Sequence, residues 1–273
     1  MYILCLILVI ILIIFFITLY CKMYNPHIPS WYSITRTPWY GVADELPIVS
    51  KQLSSRIAVF MVATPEIDNY SQYTIQVNKS WCKEHGYDFF VFKQPSRKDL
   101  PINFSKIDYA IKLVESKKYD YIMYIDADAM IIRKDYDIRN LIEKYMDSLS
   151  SIMFGEDCFG PEDCSKPGRI NSGVFIVKCN SVGKSVLNSW LDSSRNKCRW
   201  CVNKFPSCQL VFTHCVFPKW FWTVRIVPFN LMNGYKGSLL VKHMMAMDNV
   251  KRTAIIKDLY KEQDQEHERI KVW

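Results

Sequence analysis

Basic residues are plentiful in this 273-residue chain, which carries a net charge of +8, yet they form no stripe and match no nucleic-acid-binding motif. That absence argues against a reader of DNA or RNA. It leaves a mildly basic chain suited to an anionic nucleotide or a lipid surface. No internal repeat and no low-complexity segment occurs, so repeat architectures do not apply. Charge is missing altogether from Tyr2 to Tyr20, 19 consecutive uncharged positions dominated by Ile, Leu and Phe. A small-x-small cleavage pattern is missing after that run, which favours a retained membrane-spanning helix over a removed signal peptide. What remains is ordinary for a globular protein: 49% hydrophobic and 23% charged residues, enough chain for one sizeable domain behind an appendage.

The expected organisation is a transmembrane anchor over 1–21, a stem over 22–55 rich in Pro, Ser, Tyr and Trp, and a domain over 56–273. Two signals about orientation conflict. Lys22 and Arg36 follow the span, which by the positive-inside rule keeps the domain cytoplasmic. Eight of the ten cysteines lie beyond the anchor, clustered in the second half, and fit an oxidising lumen with disulfides such as Cys158–Cys164. Sequons at Asn69, Asn78 and Asn103 permit glycosylation. The expectation is a single-pass, type II membrane glycoprotein whose domain lies in the Golgi or ER lumen. The run Cys198-Arg-Trp-Cys201 with Cys208 and Cys215 also admits a four-thiolate zinc site. The second pair is spaced loosely for one, which leaves disulfides or free thiols as the other readings.

Within the domain, apolar strand runs alternate with helical spacing. Arg56–Val62 is a buried-strand pattern; Tyr70, Tyr73, Val77 and Trp81 recur as on one helix face, with Gly86 where that helix ends. Tyr87–Phe92 is a second strand, Ile107, Ile111 and Val114 mark a second helix, and Tyr121–Ile125 is a third strand. Further strands are expected at Ile152–Phe154, Val174–Val177, Val224–Val227 and Leu239–Val241. A helix runs through Val186–Leu191 and a polar surface helix follows Lys251. This order implies an α/β domain with right-handed crossovers and a mainly parallel sheet.

The stretch "YDYIMYIDADAMIIRK" ends its apolar strand in Asp126-Ala127-Asp128. Paired carboxylates at the carboxyl end of a parallel strand, where such sheets bind ligands, suit a hard divalent cation with sites open for phosphate oxygens. An acidic turn after a strand is the plainer alternative.

Five elements in order decide between these: "IAVFMVAT", "NKSWCKEHGYDFFVF", the lysine of "FSKIDYAI", "YIDADAMI" and "NSGVFIVK". Over about residues 56–250 they resemble GT-A fold nucleotide-sugar glycosyltransferases. The closest resemblance is to the galactosyl/xylosyl/mannosyl transferase family that includes xyloglucan xylosyltransferases and mannan-synthesis subunits. That resemblance implies Mn²⁺ (or Mg²⁺) on Asp128 and Asp126, with His243 of "VKHMMAMDNVKR" as a third ligand. It implies that Thr64, Lys106, Asp126, Ala127, Asn171, Ser172, Gly173 and Lys251 bind the nucleoside-diphosphate sugar. It further implies retaining transfer to a hydroxyl of a glycan or glycoprotein acceptor.

One departure stands out. The family places an acid before the glutamine of the helix after N-[ST]-G, whereas "FPSCQLVF" keeps Gln209 behind Cys208. Gln209, with Glu156 and Asp157 of "FGEDC" as carboxylates from another side, is then the catalytic expectation. The alternatives are a catalytically weak or inactive membrane-anchored nucleotide-sugar or glycan-binding protein, and a haloacid-dehalogenase-type phosphatase. The latter carries its D-x-D in the first strand and needs a late acidic pair that this chain lacks.

Overall fold

The computed structural model describes residues 43–49, 54–157, 170–235 and 237–271, together with Leu12. Apart from Leu12, the segment read as an anchor lies outside the described residues, as do Cys158 and Cys164. Among the described residues no helix is long and apolar enough to cross a membrane.

Strand β1 (Ile57–Val62) is buried at every position, and its period-two alternation feeds two cores. Ala58, Phe60 and Val62 face one cluster; Ile57, Val59 and Met61 face the other. A strand apolar on both faces belongs in the middle of a covered sheet, and β1 lies between β2 (Asp88–Phe92) and β3 (Tyr121–Ile125), parallel to both. Helix α1 (Asp68–Glu84) crosses from β1 to β2 on one face, and α2 (Ser105–Glu115) crosses from β2 to β3 on the other. The chain therefore reverses direction across the sheet between β1 and β3, the crevice where open α/β sheets take ligands.

Five further strands complete the main sheet and a small ribbon. Beyond β3 and β4 (Ala129–Ile131) lie β5 (Ile152–Glu156), β6 (Ile170–Lys178) and β7 (Val224–Val227), giving the order β2-β1-β3-β6-β5-β7. Only β6 runs against the others, antiparallel to both β3 and β5, so the sheet is mostly parallel. A second ribbon pairs β4 antiparallel with β8 (Val241–His243).

The alternation in the sequence marked the six longer strands and set the short β8 two residues early, at Leu239–Val241. It did not mark β4, which occupies three residues directly after the paired aspartates. Nor did it mark α3 (Ile138–Tyr145), whose N-terminus is capped by the Asp137 side chain.

Helix α4 (Ser181–Arg195) is capped by Asn180 and packs Trp190 into an aromatic cluster with Phe154, Phe175 and Phe212. Ring centroids there lie 4.7–6.0 Å apart at steep angles. Each such pair adds about 0.5–1.5 kcal/mol beyond area burial. The Trp190 indole N–H donates to the Cys208 carbonyl at 2.8 Å. Packing and hydrogen bond together fix helix α5 (Ser207–Val211) against the sheet. The stretch 199–223 is thus largely helical, continuing through α6 (Phe217–Trp220). A short α7 (Phe229–Met232) precedes β8. The polar tail after Lys251 is α8 (Asn249–Lys271), which docks on α1 through Tyr260 against Tyr73 and reaches Ile131 with Gln263.

Packing decides one open reading and corrects two others. Cys198 and Cys215 form a disulfide, which removes the four-thiolate zinc site; Cys201 and Cys208 are free and buried. Asn78 is wholly buried, donating to the Ala129 carbonyl at 3.0 Å and accepting from Ile131 N–H at 2.9 Å, so this sequon cannot carry a glycan in the folded chain. Asn69 and Asn103 are exposed. Residues 43–49, within the segment read as stem, lie against the domain: Ala43 exchanges two hydrogen bonds with Asn230, and Tyr136 Oη donates to the Pro47 carbonyl.

Replacing Asn78 with Ala strips partners from two buried backbone groups that hold β4. The expected loss is roughly 1–3 kcal/mol for each group left bare, measured by urea unfolding. A variant as stable as the parent would show that β4 does not need this anchor.

Candidate metal centre

The site is assembled where four segments end side by side. After β3 the chain turns, Ala129 N–H donating to the Asp126 carbonyl at 3.0 Å, and Asp126 N–H reaches across to the Gly173 carbonyl at 2.7 Å. The β4–β8 register sets Ala129 opposite His243, and Met244 N–H donates to the Asp128 carbonyl at 3.0 Å. Backbone pairing alone therefore brings Asp126, Asp128 and His243 together. His243 Nε2 lies 3.1 Å from Asp128 Oδ1 and 3.8 Å from Asp126 Oδ2. One ligand atom from each residue fits within a 4.8 Å span.

The turn is held from below by α1. Thr74 Oγ1 donates to the Ala127 carbonyl at 2.7 Å, which turns Ala127 into the wall as a buried backbone acceptor. The far imidazole nitrogen, Nδ1, is hydrogen-bonded to Asn233 Oδ1, and Asn233 Nδ2 donates to the Glu156 carbonyl at 3.1 Å. That chain fixes the ring orientation and leaves Nε2 free to act as a ligand, the usual arrangement behind a metal-bound histidine. Two carboxylates and an imidazole form an oxygen-rich set with one nitrogen, which suits Mn²⁺ or Mg²⁺ with positions left for phosphate oxygens. The residues present fit such an ion.

Two fixed cations flank the carboxylates. Lys106 Nζ, almost fully buried, donates to the Ser172 carbonyl at 2.8 Å and sits 3.5 Å from Asp126 Oδ1. Burial works against its charge, but Asp126 outweighs burial and holds the Lys106 pKa above its ordinary value. Tyr124 donates to the same Asp126 oxygen; burial, then that carboxylate, pushes the phenol well above its usual range. On the other side Arg252 Nε lies 3.1 Å from Asp128 Oδ2, with its guanidinium over the Tyr70 ring at 5.3 Å. Burial alone would raise the Asp128 pKa, yet His243 and then Arg252 hold it below the carboxylate range. Burial likewise opposes charge on His243, and Asp128 raises its pKa in spite of that.

A polar wall stands beside the cluster. Asn171, Ser172 and Gly173 form the start of β6 rather than a turn ahead of it. Asn171 Oδ1 accepts from Gly173 N–H at 2.7 Å, and Gln209 Oε1 accepts from Ser172 N–H at 3.2 Å. Both amides then donate to Asp157, at 3.0 and 2.8 Å. Cys208 Sγ packs 3.3 Å from Ser172 Oγ. Glu156 is buried at the end of β5.

Two of the residues singled out in the sequence lie apart from this grouping. Thr64 follows β1 at the head of a 3-10 turn, where its side chain hydrogen-bonds Glu66. Lys251 faces solvent, and its neighbour Arg252 is the one that reaches Asp128. Sequence reading missed Arg252, Asn233, Tyr124 and Tyr70. Only Arg252 left a trace, as the second base of "VKR".

A mostly parallel α/β sheet with a D-x-D and a distant histidine converging at its carboxyl edge defines the class, and the sequence comparison bears on the same segment. Residues 54–166, which include the D-x-D, match the galactosyl transferase GMA12/MNN10 family. The protein is a glycosyltransferase. Its fold is that of a glycosyltransferase involved in glycosylation of the major capsid of PBCV-1, at TM-score 0.61 and 19% identity over 74% of this chain and 98% of that one. Two further structures align more loosely. The glycosyltransferase GlyE of Streptococcus pneumoniae TIGR4 gives a TM-score of 0.48 at 12% identity, covering 78% of this chain and 64% of that one. The galactosyltransferase LgtC gives 0.46 at 11%, covering 75% and 95%. No curated protein sequence matches the chain.

Asn233→Ala should weaken Mn²⁺ binding about 10–100-fold, the usual effect of freeing a metal-bound histidine's second nitrogen. Calorimetric titration of the two proteins with MnCl₂ measures it; equal affinities would remove His243 from the ligand set.

Proposed function

We propose that the protein transfers a sugar from a nucleoside-diphosphate sugar to a hydroxyl of a glycan or glycoprotein, with a divalent cation held by Asp126, Asp128 and His243. The observation that carries this reading is the convergence of those three side chains, from two separate sheets, between the buried Lys106 and Arg252. Two carboxylates flanked by two permanent cations can accept a metal diphosphate whole, because the metal side is negative and the flanks are positive.

When bound, the cation supplies Lewis-acid stabilisation of the departing diphosphate. Lys106 and Arg252 are placed to take phosphate oxygens as negative charge builds on the leaving group. Gly173, in the strand wall, makes room for the His243 ring and the Asp126 carboxylate beside the donor. Asn171, Ser172 and Gln209 line the side where the sugar would sit. Retaining transfer, which the family resemblance implies, then proceeds by front-face attack. In that scheme the bond from the anomeric carbon to phosphate oxygen breaks, its electrons leave with the diphosphate, the acceptor oxygen bonds to the same face, and its proton passes to the departing phosphate oxygen. Positioning and electrostatics then supply most of the rate.

The remaining expectations belong to the same proposal. The uncharged run Tyr2–Tyr20 anchors the domain in a membrane, with the domain in the lumen of the Golgi or ER.

Incubating the purified full chain with MnCl₂ and a panel of UDP- and GDP-sugars, and following nucleoside diphosphate release with acceptor glycans, tests the reaction. One donor should support metal-dependent release, and Asp128→Ala should reduce it by at least 10³-fold, on the order of what loss of a principal electrostatic stabiliser costs. Undiminished transfer by Asp128→Ala would sink the metal assignment. Donor binding without release would favour the binding-protein alternative.

A further inference from the structure

We propose that Asp157 is the group that reads the transferred sugar, accepting hydrogen bonds from its hydroxyls; this rests on the sugar-transfer reading above. Its position follows from two side-chain amides that have no freedom to turn. Asn171 and Gln209 each commit their carbonyl oxygen to a strand N–H, of Gly173 at 2.7 Å and Ser172 at 3.2 Å. Flipping either amide would set an NH₂ group against a backbone donor. Both NH₂ ends therefore point the same way, and the Asp157 carboxylate receives them, Oδ1 from Asn171 at 3.0 Å and Oδ2 from Gln209 at 2.8 Å. Two oriented donors, one on each oxygen, fix the plane of the carboxylate. Among the described residues no other donor meets these oxygens, so each has a further lone pair for a ligand.

The same amides tie this carboxylate to the metal cluster. A Cβ placed on Gly173 would lie 2.2 Å from His243 Cε1, 2.8 Å from Asp126 Oδ2 and 2.9 Å from Asn171 Oδ1. Asn171 thus lies with one end against Gly173, which abuts the metal-binding group, and holds Asp157 with the other. Asp157 stands one side chain beyond the metal ligands, half-buried at the end of β5 on the carboxyl edge of the sheet.

The chemistry selects the ligand. A fixed negative charge repels phosphate, so the nucleoside diphosphate belongs with the cations Lys106 and Arg252 rather than beside Asp157. A carboxylate with open lone pairs calls for a ligand rich in O–H donors, and in a glycosyl donor that part is the sugar. Glu156, the other carboxylate in this stretch, is only 4% exposed and forms part of the packing at the end of β5.

The experiment separates the two halves of the donor. Calorimetry on the full chain with MnCl₂ would compare UDP and GDP with UDP-glucose, UDP-galactose, UDP-xylose and GDP-mannose. The free nucleotide and its best-bound sugar conjugate then serve as the probe pair. For Asp157→Asn, affinity for the free nucleotide should stay within about twofold of the parent, while affinity for the sugar nucleotide should fall about 10–100-fold, as for a lost hydrogen bond to a charged group. Gln209→Met keeps the carboxylate but removes one of its props, and should give a smaller loss confined to the sugar nucleotide. It carries the test if Asp157→Asn does not fold. Equal weakening of both ligands would make Asp157 a structural residue, and unchanged affinities with a raised KM for acceptor would move it to the acceptor side; either result overturns the assignment. A parent protein that binds neither nucleotide nor sugar nucleotide with Mn²⁺ would overturn the sugar-transfer reading itself, and this inference with it.

Discussion

Gly173 has no side chain, and the volume its Cβ would need is already filled by His243, Asp126 and Asn171. That single close approach orders the rest of the site. It requires β6 to run antiparallel beside β3, so that the Gly173 carbonyl takes the Asp126 N–H and the strand passes directly under the imidazole. A parallel β6 would present a different set of backbone groups to the turn. The one reversed strand in the sheet is thus what lets a histidine from a separate two-stranded ribbon meet two aspartates from the main sheet. Alanine at 173 would have to displace a ring fixed by Asn233 and a carboxylate fixed by Lys106 and Tyr124, none of them the loose end of a flexible chain.

Around that contact the electrostatics are arranged so that no charge is stranded. Asp126 is shared between Lys106 and Tyr124, and Asp128 between His243 and Arg252. Two carboxylates this close would otherwise repel, and one would take up a proton. The flanking cations keep both available as ligands, and they are the groups a diphosphate would meet next. Binding a cation and binding its anionic partner are therefore served by one network rather than by two sites that must be aligned separately. Side chains locked in this way lose little entropy when ligand arrives, which is how preorganised sites gain affinity and rate.

The sequence disclosed what depends on local pattern. Runs such as "IAVFMV" and "YIMYI" mark strands buried on both faces, and their alternation with helical spacing identifies the α/β sheet. The D-x-D at a strand end identifies the metal-binding edge. What stayed hidden depends on register. That Ala129 pairs with His243 across 114 positions, or that Asn171 and Gln209 converge on one carboxylate, follows from pairing no local window contains. Arg252 and Lys251 are adjacent bases with nothing in composition to separate them; the rotation of α8 about its axis sends one to Asp128 and the other to solvent. The buried Asn78 is a sequon by spelling and a strand anchor by position, and only burial tells the two apart.

Cys208 bears on how the reacting side of such a site can be built. Its thiol sits against Ser172, next to Gln209, on the wall where the resemblance leads one to expect an acid. Helix α5 cannot easily shift to bring another residue there, because its start is pinned through the Cys208 carbonyl to Trp190 within the aromatic cluster. The carboxylate on this wall instead comes from a different element, the end of β5, and is aimed by the very glutamine that follows the missing acid. A negative charge need not come from one fixed backbone position if the amide that orients it stays in place. Gln209 keeps that place, its other end tied to the Ser172 N–H of the strand that passes beneath the metal ligands.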